Sequence, residues 1–166
     1  MHIKLLLVTL SFAINLTIYG QDKPDLFKLY DPQANAYAQI HDAVVRAKKE
    51  NKHVLVQVGG NWCVWCKRLH TLMTEDDAIR NYTDSNFVVV HINYSKENKN
   101  EQILQSLGYP QRFGYPVLVV LDERGNRLHT QNSAYLEDGK GHSAKKVLEF
   151  LKQWSPAALN PAHYKN

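Results

Sequence analysis

The sequence predicts a single α/β domain, with a mixed β-sheet and helices packed on both of its faces. Short apolar runs rich in β-branched residues alternate with segments of helical periodicity. Only a turn separates the last two runs. Because strands joined by helices are expected to pair in parallel, and a terminal hairpin adds an antiparallel edge, the sheet should be mixed. A chain of 166 residues suits one hydrophobic core.

Apolar periodicity, turn residues and one capping residue predict eight elements. They are, in order, a helix from Asn35 to Lys49, a strand from His53 to Val58, a helix including 67–73, a strand from Phe87 to Ile92, a helix from Glu101 to Leu107, a strand from Pro116 to Leu121, a turn at 122–126 into a strand from Arg127 to Thr130, and a helix from Ser143 to Trp154.

The first twenty residues have the pattern of a secretory signal peptide. A basic start at 1–4 precedes an apolar run at 5–19 and then Gly20, a small residue before the polar Gln21. The run is shorter than the roughly 20 apolar residues that span a bilayer, which favours a cleaved signal over an uncleaved anchor. We therefore divide the chain into a signal peptide (1–20), an N-terminal extension (21–34), a domain (35–155) and a C-terminal tail (156–166). The expected location is periplasmic or extracellular, with a protein that is soluble after cleavage.

The charge distribution gives no support to nucleic-acid binding. The chain has 20 Lys and Arg residues against 16 Asp and Glu residues, for a net charge of +4. These basic residues are scattered among acidic ones and do not form one basic face. A nucleic-acid partner is therefore not expected.

The two cysteines, Cys63 and Cys66, are separated by two residues. A disulfide that closes so short a loop constrains the unfolded chain little, so a purely structural role explains the pair poorly. The pair follows a predicted strand and begins a helix-forming segment, which places Cys63 at a helix N-terminus. Unpaired N–H groups and the helix dipole favour a thiolate there. We expect Cys63 to attack a substrate disulfide and the more buried Cys66 to resolve the product.

A metal site is the first alternative for this pair. His70 stands four residues after Cys66, but a structural zinc site needs four ligands and the chain has no second pair of cysteines. Attachment of haem requires a histidine directly after the second cysteine, where Lys67 stands. We expect no metal and no cofactor other than the redox-active disulfide itself.

Three features resemble the thioredoxin superfamily, over about residues 35–154. The segment Trp62-Cys63-Val64-Trp65-Cys66-Lys67 is similar to the family's Trp-Cys-x-x-Cys-Lys motif. The segment 114–117 resembles the one that holds the family's cis-proline, and Gly125 falls in the family's hairpin turn. The resemblance implies a thioredoxin-like fold and a substrate groove formed by Trp62, Tyr115 and Pro116. An ordinary trans proline at Pro116, and plain core roles for Trp62 and Trp65, are the alternatives.

The thiolate environment departs from the family pattern at two places. Gln57 stands where many thioredoxins have a buried carboxylate that helps to deprotonate the resolving thiol, so water or Lys67 would have to serve instead. Val64 and Trp65 stand between the cysteines, without the histidine that makes the disulfide of strong oxidants more oxidising. This absence favours a reductase or isomerase over an oxidase.

The sequence thus predicts a thiol-disulfide oxidoreductase that reduces or isomerises disulfides of exported proteins. A membrane-embedded thiol reductant is the expected source of its electrons. Two alternatives from other classes stay open: a binding or chaperone module that presents the groove without turnover, and a copper-delivery protein that uses the two thiols as soft ligands.

Overall fold

The computed structural model describes residues 27–165, so the predicted signal peptide lies outside the described residues. Within this range the helices and strands, in chain order, are α1 (Ala36–Glu50), β1 (His53–Gly59), α2 (Val64–Glu75), α3 (Asp77–Asn86), β2 (Phe87–Asn93), α4 (Glu101–Ser106), β3 (Val117–Leu121), β4 (Arg127–Asn132), β5 (Glu137–Asp138), β6 (Gly141–His142) and α5 (Ala144–Gln153). Short 3-10 helices lie at Pro110–Phe113, Ser133–Leu136 and Pro161–Tyr164. No helix in the described range has the length and apolar character needed to cross a membrane.

Strands β1 to β4 form a mixed sheet in the order β2-β1-β3-β4. β1 pairs in parallel with β2, and β3 and β4 form the predicted antiparallel hairpin. Gly125 lies in the turn of this hairpin with a φ of 85°, which glycine adopts at little cost. The mixed character of the sheet is confirmed.

The direction of β3 differs from the sequence-based expectation that helix-linked strands are parallel. β3 runs antiparallel to β1, with Val117 opposite Val58. The connecting helix α4 has six residues and is therefore about 9 Å long, whereas the seven residues of β2 span roughly 23 Å. The connection does not carry the chain back along the sheet, so β3 begins at the end where β2 stops.

The side chains of β1 alternate between two hydrophobic cores. Val54, Val56 and Val58 pack on the face covered by α1 and α4. Leu55 points to the opposite face, which α2, α3 and α5 cover. Because helices lie on both faces, every residue of β1 is buried. The predicted layers are confirmed, and the C-terminal end of β1 opens onto the N-terminus of α2.

One helix and one short hairpin were not predicted from the sequence. α3 begins directly after Asp76, whose carboxylate caps it by accepting a hydrogen bond from the Ile79 N–H at 3.0 Å. α3 contains few apolar residues, and Ile79 and Thr83 are its buried residues. The short hairpin of β5 and β6 places His142 against α2.

Candidate active site

The active-site disulfide lies where β1 passes into α2. The chain leaves β1 at Gly59, turns, and enters α2 with Cys63 as its N-cap residue. The Cys63 sulfur accepts a hydrogen bond from the Cys66 N–H at 3.1 Å. The two sulfurs are bonded at 2.14 Å. Cys63 is 6% exposed and Cys66 is fully buried, so the first cysteine is the one nearer to solvent.

Gln57 and Tyr30 lie directly behind Cys66. The Gln57 side-chain N–H donates to the Tyr30 hydroxyl at 2.8 Å and to the Cys66 carbonyl oxygen at 3.4 Å. Burial raises the pKa of Tyr30, and the hydrogen bond from Gln57 opposes the shift only in part. The two side chains directly behind Cys66, the Gln57 amide and the Tyr30 phenol, are therefore both neutral.

Asn61 fixes Tyr30 in this position. Its side-chain oxygen accepts from the Tyr30 N–H at 3.0 Å, and its side-chain N–H donates to the Tyr30 carbonyl at 2.7 Å. Both backbone groups of Tyr30 are thus held by one residue of the turn between β1 and α2. The segment 21–34, described from the sequence as an extension, contributes Tyr30 to the packing around the cysteines.

The other side of the disulfide is an aromatic surface. The Tyr115–Pro116 peptide bond is cis, as the resemblance implied. The Trp62 ring meets the Tyr115 ring edge to face at 5.4 Å, and its indole N–H donates to the Tyr94 carbonyl at 2.8 Å. Tyr94 stacks on Tyr115 at 4.9 Å. Trp62 is 59% exposed, so the structure brings the three predicted groove residues together and leaves an aromatic face open to solvent.

The residues between and after the cysteines point in different directions. Val64 is 53% exposed. Trp65 is half-buried, with its ring against His142 at 5.5 Å and beneath the Arg68 guanidinium at 4.9 Å. The Lys67 ammonium lies 5.5 Å from the Phe27 ring. Val64 thus extends the exposed apolar surface, while Trp65 packs against the β5-β6 hairpin.

His70 does not join the cysteine pair in a ligand set. Its ring contacts Phe27 at 5.9 Å and His91 at 5.6 Å. Across residues 27–165, no three His, Cys, Asp or Glu side chains come close enough together to hold a metal ion.

A cavity of about 230 Å³ lies behind Gln57, with His70 and His91 in its lining. Burial lowers the pKa of His91 to about 4, with the nearby His70 as a second cause. Burial also lowers the pKa of His70. Both imidazoles are therefore neutral at neutral pH.

The depressed pKa of His91 predicts a loss of stability in acid. An unfolded histidine takes up a proton near pH 6.5, but folded His91 does so only near pH 4, so stability falls as the pH drops between these values. We expect His91→Gln to remove up to about 3 kcal/mol of this loss at pH 4. Urea unfolding across pH 7 to 4 measures it, with His41→Gln as the exposed control. If the free energy of unfolding fell equally between pH 7 and 4 in the parent and in His91→Gln, this prediction would be contradicted.

Sequence reasoning did not assign Tyr30, Asn61, Tyr94 or His91 to the site. Asn61 could have been identified by its place in the turn before the cysteines, because a hydrogen-bonding side chain can stabilise such a turn. His91 lies opposite Gln57 in the β1-β2 register. Pairing the two predicted strands in this register would therefore have placed His91 next to Gln57.

The fold and the disulfide at the N-terminus of α2 define a thiol-disulfide oxidoreductase. The chain belongs to the thioredoxin superfamily, because the model of the thioredoxin-like family matches residues 35–123. A search of curated proteins finds no match.

Two solved structures illustrate the relationship. A disulphide isomerase from Xylella fastidiosa Temecula1 superposes with a TM-score of 0.67 at 26% identity, over 75% of this chain and 94% of that one. The C-terminal domain of DsbD from Neisseria meningitidis, in its oxidised form, gives a TM-score of 0.52 at 20% identity, over 73% of this chain and 97% of that one. The second similarity concerns the fold alone.

Proposed function

We propose that this protein is exported and reduces or isomerises disulfides of other exported proteins through Cys63 and Cys66. The observation that carries the proposal is the position of Cys63, which caps α2 beside the aromatic face of Trp62, Tyr115 and Pro116. A thiolate there is favoured by the helix N-terminus and lies next to a surface suited to an unfolded chain. The similarity to a disulphide isomerase supports the same activity.

The reaction begins with the reduced pair. The Cys63 thiolate attacks one sulfur of a substrate disulfide, and the other substrate sulfur leaves as a thiolate. Cys66 then attacks Cys63, which releases the second substrate sulfur and leaves the Cys63–Cys66 disulfide. The protein has now given two electrons to its substrate. A membrane-embedded thiol donor is proposed to reduce the Cys63–Cys66 disulfide again.

Export of the protein is proposed from the signal-like pattern of residues 1–20. An oxidising compartment is also where protein disulfides form and need correction. The reducing direction is proposed from the Val64-Trp65 pair, which offers no imidazolium to stabilise the Cys63 thiolate.

A measured reduction potential tests this direction. We expect a value of roughly −270 to −180 mV, the range of reducing and isomerising members of the fold. Trp65→His should raise the potential, because an imidazole beside Cys63 stabilises the reduced form. Equilibration with glutathione buffers, followed by alkylation and mass measurement, gives both values. A parent value near −120 mV, typical of a strong oxidant, would overturn the proposed direction.

A further inference from the structure

The Tyr30 hydroxyl is a buried donor beside Cys66. Tyr30 is 2% exposed and packs against both cysteines. A methyl group placed on Gly59 would lie 2.5 Å from the Cys66 sulfur and 2.7 Å from the Tyr30 hydroxyl oxygen, so these two atoms are within about 5 Å of each other. The hydroxyl thus lies close to the sulfur that is proposed to resolve the mixed disulfide.

The proton of this hydroxyl has no acceptor in the described part of the chain. Gln57 contacts the Cys66 carbonyl oxygen, which can only accept, and this fixes the amide nitrogen on the Tyr30 side. Gln57 therefore donates to Tyr30, and the hydroxyl keeps its own proton to donate. A buried donor without an acceptor is costly, which points to a partner in another redox state of the protein.

We propose that the Tyr30 hydroxyl donates a hydrogen bond to the Cys66 thiolate when the disulfide is open. This inference rests on the proposed role of Cys66 as the resolving thiol. A thiolate accepts hydrogen bonds far better than a disulfide sulfur does, so the bond forms in the reduced state and in the mixed disulfide. Asn61 and Gln57 hold the hydroxyl in place for it.

The bond assists one step of the reaction. Full burial of Cys66 opposes its ionisation, because a charge without partners is unfavourable in an apolar environment. In the resolution step the Cys66 thiolate forms a bond to the Cys63 sulfur, and the bond from Cys63 to the substrate breaks. The electron pair leaves on the substrate sulfur, which takes up the proton that Cys66 has released. Tyr30 stabilises the thiolate and keeps its own proton throughout.

Other titratable groups also face this site. The His91 ring of β2 meets the Tyr30 ring at 5.6 Å, and the His70 ring of α2 meets His91. Both are neutral at neutral pH. Tyr115 packs on the same cluster, and burial raises its pKa. Lys67 follows Cys66 and lies over Phe27. The Tyr30 hydroxyl is the donor in this set that is both buried and adjacent to Cys66.

Stopped-flow reaction of the reduced protein with 5,5′-dithiobis(2-nitrobenzoate) tests the inference. Attack by Cys63 releases one coloured thiolate, and closure by Cys66 releases a second. We expect Tyr30→Phe to leave the first phase unchanged. We expect the second phase to slow about tenfold near neutral pH. The midpoint of the pH dependence of its rate should shift upward by about one pH unit. Tyr37→Phe makes the same chemical change on an exposed residue of α1 and should alter neither phase.

The outcomes separate the inference from the proposed function. An unchanged second phase in Tyr30→Phe would overturn the role of Tyr30, and so would equal slowing of both phases, which indicates a structural effect. Absence of a second phase in the parent protein would instead refute the resolving role of Cys66, and with it the proposed function. Thermal unfolding of Tyr30→Phe checks that the fold is kept.

Discussion

Gly59→Ala is expected to destabilise the oxidised protein by about 1–3 kcal/mol through overpacking. The new methyl group would lie 2.5 Å from the Cys66 sulfur and 2.7 Å from the Tyr30 hydroxyl, far inside van der Waals contact. Neither neighbour can move freely. Cys66 is held by the disulfide and by α2, and Tyr30 is held by Asn61 and Gln57.

The matched control for this change is Gly141→Ala. Nothing lies within 4 Å of a methyl group at Gly141, and its backbone is not in the left-handed region. The free energy of unfolding, measured by urea denaturation, should therefore fall in Gly59→Ala and change little in Gly141→Ala. Equal stability of the two variants would show that the contact between β1, Cys66 and Tyr30 is looser than described.

The sequence was sufficient to predict the position of the cysteine pair because the relevant signals are local. Cys63 and Cys66 lie within one turn of each other, directly after an apolar strand, so their place at the start of α2 follows from the order of elements. Pro116 could be placed beside them only through the resemblance, since it lies 49 positions after Lys67. The fold class and both helical layers were also predictable from periodicity.

The surroundings of Cys66 could not be predicted in the same way. Tyr30 stands 31 residues before Asn61, and their contact depends on how the segment before α1 crosses the end of the sheet. The direction of β3 depends on the short reach of α4. These features are set by tertiary packing, which leaves little trace in a linear pattern.

Trapping of substrates is expected to differ sharply between the two cysteine variants. In Cys66→Ala, Cys63 can still attack a disulfide, but no thiol remains to resolve the product. Mixed disulfides with exported proteins should therefore accumulate in the cell envelope and disappear on treatment with dithiothreitol. In Cys63→Ala, the remaining Cys66 is fully buried, so adducts should be about tenfold fewer or absent.

The same experiment separates the alternative functions. A chaperone that binds without turnover forms no covalent adducts in either variant. A copper-delivery protein loses metal in both variants, because each thiol is a ligand.

The most direct test of the oxidoreductase mechanism is therefore the count of dithiothreitol-sensitive adducts formed by Cys66→Ala and by Cys63→Ala at equal expression. The mechanism predicts abundant adducts in the first variant and few in the second. No adducts in Cys66→Ala, or as many in Cys63→Ala, would contradict it.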